Sequence, residues 1–143
     1  MINKLMHDYN TELNYDGIDG ERLAERLDAI SKIGVLSSGG VSRPGFSNEE
    51  KQAKELVTGW MKAAGLTVET DAAGNVFGRL NGEDTSQSIA SGSHVDTVPA
   101  GGNFDGVLGV LSALEVAEAW KASGYTPKKS FEVVIFSDEE GAR

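Results

Sequence analysis

The chain contains no cysteine, so disulfides and thiolate metal sites are excluded. Basic charge is scarce. Thirteen Lys+Arg face 22 Asp+Glu, a net charge of −9, which argues against non-specific partnership with nucleic acid or an anionic membrane. Long apolar runs are missing too. The most apolar stretch, Val107 to Ala119, is interrupted by Ser112, Glu115 and Glu118 and is too short to span a bilayer. Met1 to Asn10 is polar and mixed, without the apolar core of a signal peptide. The expected location is the cytoplasm. No repeat, low-complexity segment or linker divides the 143 residues, and that length suits one domain with a real hydrophobic core.

What is abundant is glycine. Eighteen glycines are nearly twice the ordinary share of ~7%, a density that signals tight turns and close backbone approach. Between them the chain alternates elements. Leu23, Leu27, Ile30 and Ile33 mark an amphipathic helix over 20–33, with Asp19 as its cap and Gly34 as its stop. A loop of turn residues spans 37–45. Ser47 then opens a second helix with Glu50 in capping-box spacing, and Gly65 ends it. Strands follow over 66–70 and 76–80, joined by the turn Asp71-Ala72-Ala73-Gly74-Asn75. A polar loop over 81–87 leads to a candidate buried strand over 88–93. A heavily buried helix is expected from about Asp105 to Ser123, and the β-branched, aromatic run Phe131 to Phe136 is the strongest strand. This order defines an α/β layered domain whose last two strands form a parallel βαβ unit.

In open α/β sheets ligands bind beyond the carboxyl ends of the strands. Here one strand ends in Ser93-His94-Val95-Asp96 and the other in Ser137-Asp138-Glu139-Glu140, while Asp105 opens the helix between them. His94 and Asp96 are two residues apart, which in extended backbone turns both to one face. Asp96 can then hold one imidazole nitrogen while the other binds a metal. Asp105 has two oxygens with which to bridge two ions. Glu139 and Glu140 are adjacent and should diverge, one binding metal and the other serving as a base. Taken singly, each residue has a plainer reading: His94 as a hydrogen-bonded structural histidine, Asp105 as a helix cap, the acidic triplet as a solvated cluster. His7 carries only the plain reading. Composition and spacing lead to a metal or carboxylate site and no further. Ser91, Ser93, His94 and Asp96 lie too close together for a serine triad, and no nucleophile elbow, P-loop or dinucleotide fingerprint occurs. A glycosidase carboxylate pair fits the spacing but leaves His94 without a role.

The run Gly92-Ser93-His94-Val95-Asp96-Thr97-Val98-Pro99-Ala100-Gly101-Gly102-Asn103-Phe104-Asp105-Gly106-Val107-Leu108-Gly109-Val110 resembles the metal-binding core of the M20 metallopeptidase superfamily. Within it, the form of the turn before Asp105 resembles the amidase, hydantoinase/carbamoylase branch. Gly39-Gly40-Val41-Ser42-Arg43, the 71–75 turn and Glu139-Glu140-Gly141-Ala142-Arg143 fit the same branch. The resemblance implies a zinc-exopeptidase-like catalytic domain, a three-layer α/β fold with a mixed sheet and flanking helices. It implies that His94 binds one metal, Asp105 bridges two, Glu140 binds the other, Glu139 is the general base and Asp96 orients His94. The implied cofactor is two Zn2+ ions, or Mn2+, Ni2+ or Co2+, and the implied substrate an N-carbamoyl-L-amino acid or a ureido acid such as allantoate. Alternatives are a dipeptidase or N-acyl-amino-acid deacylase, and a non-catalytic remnant.

The branch continues beyond the position of Arg143, into two further histidine ligands, the substrate-carboxylate groups and a lid domain that makes a homodimer. Residues 1–143 therefore read as the N-terminal part of the catalytic domain, a fragment that lacks the lid and is expected to be inactive alone.

Overall fold

A computed structural model describes residues 6, 7, 10 and 17–142. Much of the Met1–Asn10 segment, and Arg143 at the end of the last motif, lie outside the described residues. The elements are α1 (Gly20–Ser31), α2 (Asn48–Ala63), β1 (Thr67–Thr70), β2 (Val76–Leu80), β3 (Asp84–His94), α3 (Val107–Ser123) and β4 (Lys129–Phe136). The helix starts follow the sequence signals. Asp19 accepts a hydrogen bond from the Arg22 N–H and Ser47 accepts one from the Glu50 N–H. The Glu50 side chain reaches back to the backbone N–H of Phe46, one residue earlier than a strict capping box.

The four strands form one mixed sheet in the order β1-β2-β4-β3. β1 and β2 pair antiparallel, as do β2 and β4, whereas β3 runs parallel to β4. The expected parallel unit is present, with α3 connecting its strands. Phe131, Val133 and Ile135, alternate residues on one face of β4, join Leu27, Ile30, Val57, Met61, Val107, Val110, Leu111 and Leu114 in a single core. Arg79 and Glu132, opposite each other in register, form an ion pair at 2.6 Å.

Two expectations are corrected around β3. Residues 84–87 belong to the strand, so the polar loop shrinks to 81–83; a register irregularity separates Asp84 from Ser88, and Asp84 accepts bonds from the backbone and hydroxyl of Ser86. Nor is 88–93 buried. β3 is an edge strand, exposed from Asp84 to Ser91 and buried only at His94. Its small residues suit a strand with one neighbour as well as one with two, and composition cannot separate those cases.

α3 begins at Val107, two residues later than expected, behind a Gly106 cap with φ +66° and no side-chain cap. Glu115 and Glu118 have inward roles. The buried Glu115 carboxylate accepts bonds from the Asp19 N–H at 2.7 Å and from Arg22 at 2.6 and 2.9 Å. Glu118 pairs with Arg26, whose guanidinium lies over the Trp60 ring. These bonds tie α1 to α3. Glu115→Ala removes the shared acceptor of Arg22 and the Asp19 N–H, and is expected to cost about 2–3 kcal/mol, because Arg22 is partly hydrated and keeps Glu118 nearby. Urea unfolding checks it; a loss below about 0.5 kcal/mol would place the helix pair's stability in its other contacts, the Arg26–Glu118 pair included.

Candidate metal centre

Both parallel strands deliver their last residues to the same edge. β3 ends at His94, paired in register with Phe136, the last residue of β4. Beyond β3 the chain stays inside, with Val95, Asp96 and Thr97 buried. Beyond β4 it bends through Asp138, at φ +53°, and carries Glu139 and Glu140 back toward the end of β3.

The imidazole is the buried centre of the site. His94 Nδ1 lies 2.9 Å from the Asp96 backbone carbonyl and 3.5 Å from the Asp96 carboxylate. The carbonyl is thus the nearer partner that sets the ring, with the carboxylate behind it. Nε2 faces outward, 3.4 Å from a Glu139 oxygen and 3.8 Å from an Asp105 oxygen. His94, Glu139 and Glu140 each offer one ligand atom, all within 4.8 Å of one another. Asp105 joins from the other side, with an oxygen 3.8 Å from the same His94 Nε2. Asp96, fully buried, accepts a bond from the Glu140 N–H at 3.1 Å, so one carboxylate braces both halves of the site.

The five expected residues are therefore together, with two differences in detail. Glu139 and Glu140 do not diverge. They sit in a bend rather than in extended backbone, so strand alternation does not apply, and both reach the His94 cluster. Asp105 does not cap α3: Gly106 holds that position, leaving the Asp105 side chain largely exposed and free to face His94. Gly106 is required here, because a Cβ at its positive φ would overlap the His94 ring.

Three carboxylates crowd one imidazole, and the crowding has an electrostatic signature. The hydrogen bond to Asp105 pushes the Glu140 carboxyl above its ordinary value, with loss of hydration and repulsion from Asp105 and Glu139 adding to it, while His94 opposes the shift. A divalent cation relieves that repulsion, and a histidine with carboxylates is a fitting donor set for zinc or manganese. The sign for stability follows. A carboxyl whose folded pKa is raised stabilises the metal-free protein below the unfolded value, ~4.3, and that contribution fades as pH rises through the folded value. Relative to Glu140→Gln, the metal-free wild type should lose stability as pH rises out of that window; urea unfolding across about pH 4–7 checks it. A pH-independent difference between the two proteins contradicts the raised Glu140 pKa.

Residues outside the ligand set hold it in place, and spacing gave no sign of them. Arg43 is fully buried. Its Nε donates to the Val95 carbonyl at 2.9 Å and its Nη1 to Ile33 at 2.9 Å. Its backbone pairs with Thr97 in both directions. On the other side, Asn75 accepts a bond from the Ser137 N–H at 2.9 Å, with its own amide held by Asp71. Lys54 donates to the Ser137 hydroxyl at 2.7 Å. The 39–43 and 71–75 motifs thus fix the two strand-end segments. The motifs themselves were the only signal in the sequence.

The strand-end histidine and acidic cluster on a mixed α/β sheet lie within a segment similar to known peptidases. The model of peptidase family M28 matches residues 75–142, from the end of the 71–75 turn through Glu139 and Glu140. Beyond that match, the chain is similar to amidases of the hydantoinase/carbamoylase family. It is 47% identical over 127 residues to an N-carbamoyl-L-amino acid amidohydrolase of Geobacillus stearothermophilus, a match covering 88% of this chain and 31% of that protein. It is 37% identical over 122 residues to allantoate amidohydrolase of Bacillus subtilis, covering 85% and 30%. A crystal structure of a hydantoinase/carbamoylase family amidase from Burkholderia ambifaria superimposes with a TM-score of 0.87 at 40% identity, covering 91% of this chain and 32% of that one. The chain thus spans about a third of the length of these relatives. Among the described residues no helix is long and apolar enough to cross a membrane.

Proposed function

We propose that residues 1–143 form the N-terminal part of the catalytic domain of a metal-dependent amidohydrolase. The enzyme cleaves the linear amide C–N bond of an N-carbamoyl-L-amino acid, or of a ureido acid such as allantoate. The observation that carries this reading is the convergence of His94, Glu139 and Glu140 within ligand distance, on a chain whose relatives are named for those activities. His94, Asp105 and Glu140 would hold two ions, Asp105 shared between them. Zinc fits the donor set, with manganese, nickel or cobalt as alternatives. Bound ions supply polarisation of the substrate carbonyl and acidification of water. Glu139 takes the proton of the attacking water and delivers it to the leaving nitrogen, and Asp96 keeps His94 in a ligating orientation.

The chain's three ligands are fewer than two catalytic ions require, since a catalytic zinc normally keeps three protein ligands. The remainder would come from the longer polypeptide, together with the lid and the homodimer it makes, in the cytoplasm. The test is a substrate panel on the complete natural polypeptide carrying this sequence, loaded in turn with each metal. N-carbamoyl amino acids and allantoate should turn over, and dipeptides and N-acyl amino acids should not. Turnover confined to dipeptides or N-acyl amino acids replaces this reading with a dipeptidase or deacylase, and no turnover with a non-catalytic protein.

A further inference from the structure

Lys54, in the second turn of α2, is nearly enclosed: its side chain is 14% exposed, and that of its ion-pair partner Glu50 only 3%. Enclosing two such charges is costly unless the geometry is good. The Lys54 ammonium lies 2.6 Å from a Glu50 oxygen. It also donates to the Ser137 hydroxyl at 2.7 Å and to the Gly74 carbonyl at 3.2 Å. The other Glu50 oxygen accepts the Phe46 N–H.

The segments so gathered are two turns of unusual backbone. Phe46 and Asp138 both occupy the left-handed region, at φ +61° and +53°, which non-glycine residues keep only where their surroundings over-determine it. The turns also touch. A Cβ at Gly45 would overlap the Asp138 side chain, and one at Gly74 would meet the Ser137 hydroxyl and the Phe46 ring. One ion pair on α2 thus ties both turns: Glu50 holds the first at Phe46, and Lys54 holds the second at Ser137. The second is the bend that carries Glu139 and Glu140 to His94.

We propose that the Glu50–Lys54 pair clamps this bend, and that Lys54 is a positioning residue of the metal centre, acting through Ser137 on Glu139 and Glu140. This rests on the metal reading above.

The test uses the complete natural polypeptide. It measures amide hydrogen exchange without metal, and Zn2+ affinity by chelator competition. Lys54→Met keeps the length of the side chain and removes its bonds. Exchange at the Ser137 and Glu140 N–H groups, which bond to Asn75 and Asp96, should quicken by about tenfold or more, the effect of losing one hydrogen bond to a charged group. Exchange within α3 should not change. Zn2+ affinity should fall by about 10–100-fold, as for loss of an outer-shell partner, and Lys54→Arg should restore most of it. Unaltered exchange at the two N–H groups overturns the clamp. So does equal acceleration within α3, which would make the pair merely structural. Local acceleration at wild-type affinity overturns the positioning role. If Lys54→Met does not fold, Ser137→Ala decides, because it deletes only the hydroxyl that Lys54 holds and leaves the ion pair in place. Faster exchange at Glu140 together with weaker Zn2+ binding then supports the proposal, and a wild-type value for either overturns it. A wild-type protein that binds no Zn2+ overturns the metal reading itself and the positioning role with it; a failure confined to the variants leaves that reading standing.

Discussion

Glu139→Gln, made in the complete natural polypeptide, is expected to retain metal while turnover falls by about 10²–10⁴-fold, the usual loss on removing a positioned general base. Glutamine matches glutamate in size and polarity but cannot accept the proton. The geometry makes the result informative, because Glu139 stands 3.4 Å from His94 Nε2 and belongs to the group able to hold an ion. Metal content must therefore be measured beside activity. Turnover lost together with metal would make Glu139 a ligand. Near wild-type turnover would assign the base to another residue, Asp138 being the adjacent carboxylate.

Asp105→Ala should have the opposite profile: metal is lost first, and activity falls in consequence. A shared ligand serves both ions, so the loss should exceed the ~10–100-fold typical of an outer-shell partner. The metal-free fold should survive, since the Asp105 side chain is largely exposed and its removal relieves repulsion on Glu140. Metal analysis of the purified variant, beside its urea unfolding curve, checks both statements. Full metal occupancy would remove Asp105 from the ligand set.

Those two variants rest on residues that were legible in the sequence, and the reason is local. His94, Asp105, Glu139 and Glu140 lie at the ends of elements whose period and punctuation are strong, and the βαβ order alone brings strand ends together. The caps at Asp19 and Ser47 were legible for the same reason. What the sequence concealed depends on neighbours distant in the chain. The exposure of Ile89 and Ser91 goes with β3 having, among the described residues, a partner on one side only. The inward role of Glu115 needs Arg22, 93 residues away. The burial of Arg43 needs carbonyls from two other segments. The meeting of Glu139 with Glu140 depends on a backbone bend, where strand alternation gives the wrong answer.

The position of β4 has a consequence for how the chain is made. It follows β3 in sequence, yet it lies between β2 and β3. During synthesis the β1–β2 hairpin can form once residue 80 is available, since its pairing is local. β3 has no sheet partner until residues 129–136 arrive. Ordering of these four strands therefore waits on one non-local insertion, the kind of step that slows folding and prolongs exposure of unpaired edges. The same step brings Glu139 and Glu140 to His94, so the gathering of this histidine and its two glutamates and the pairing of β3 with β4 are one event in time.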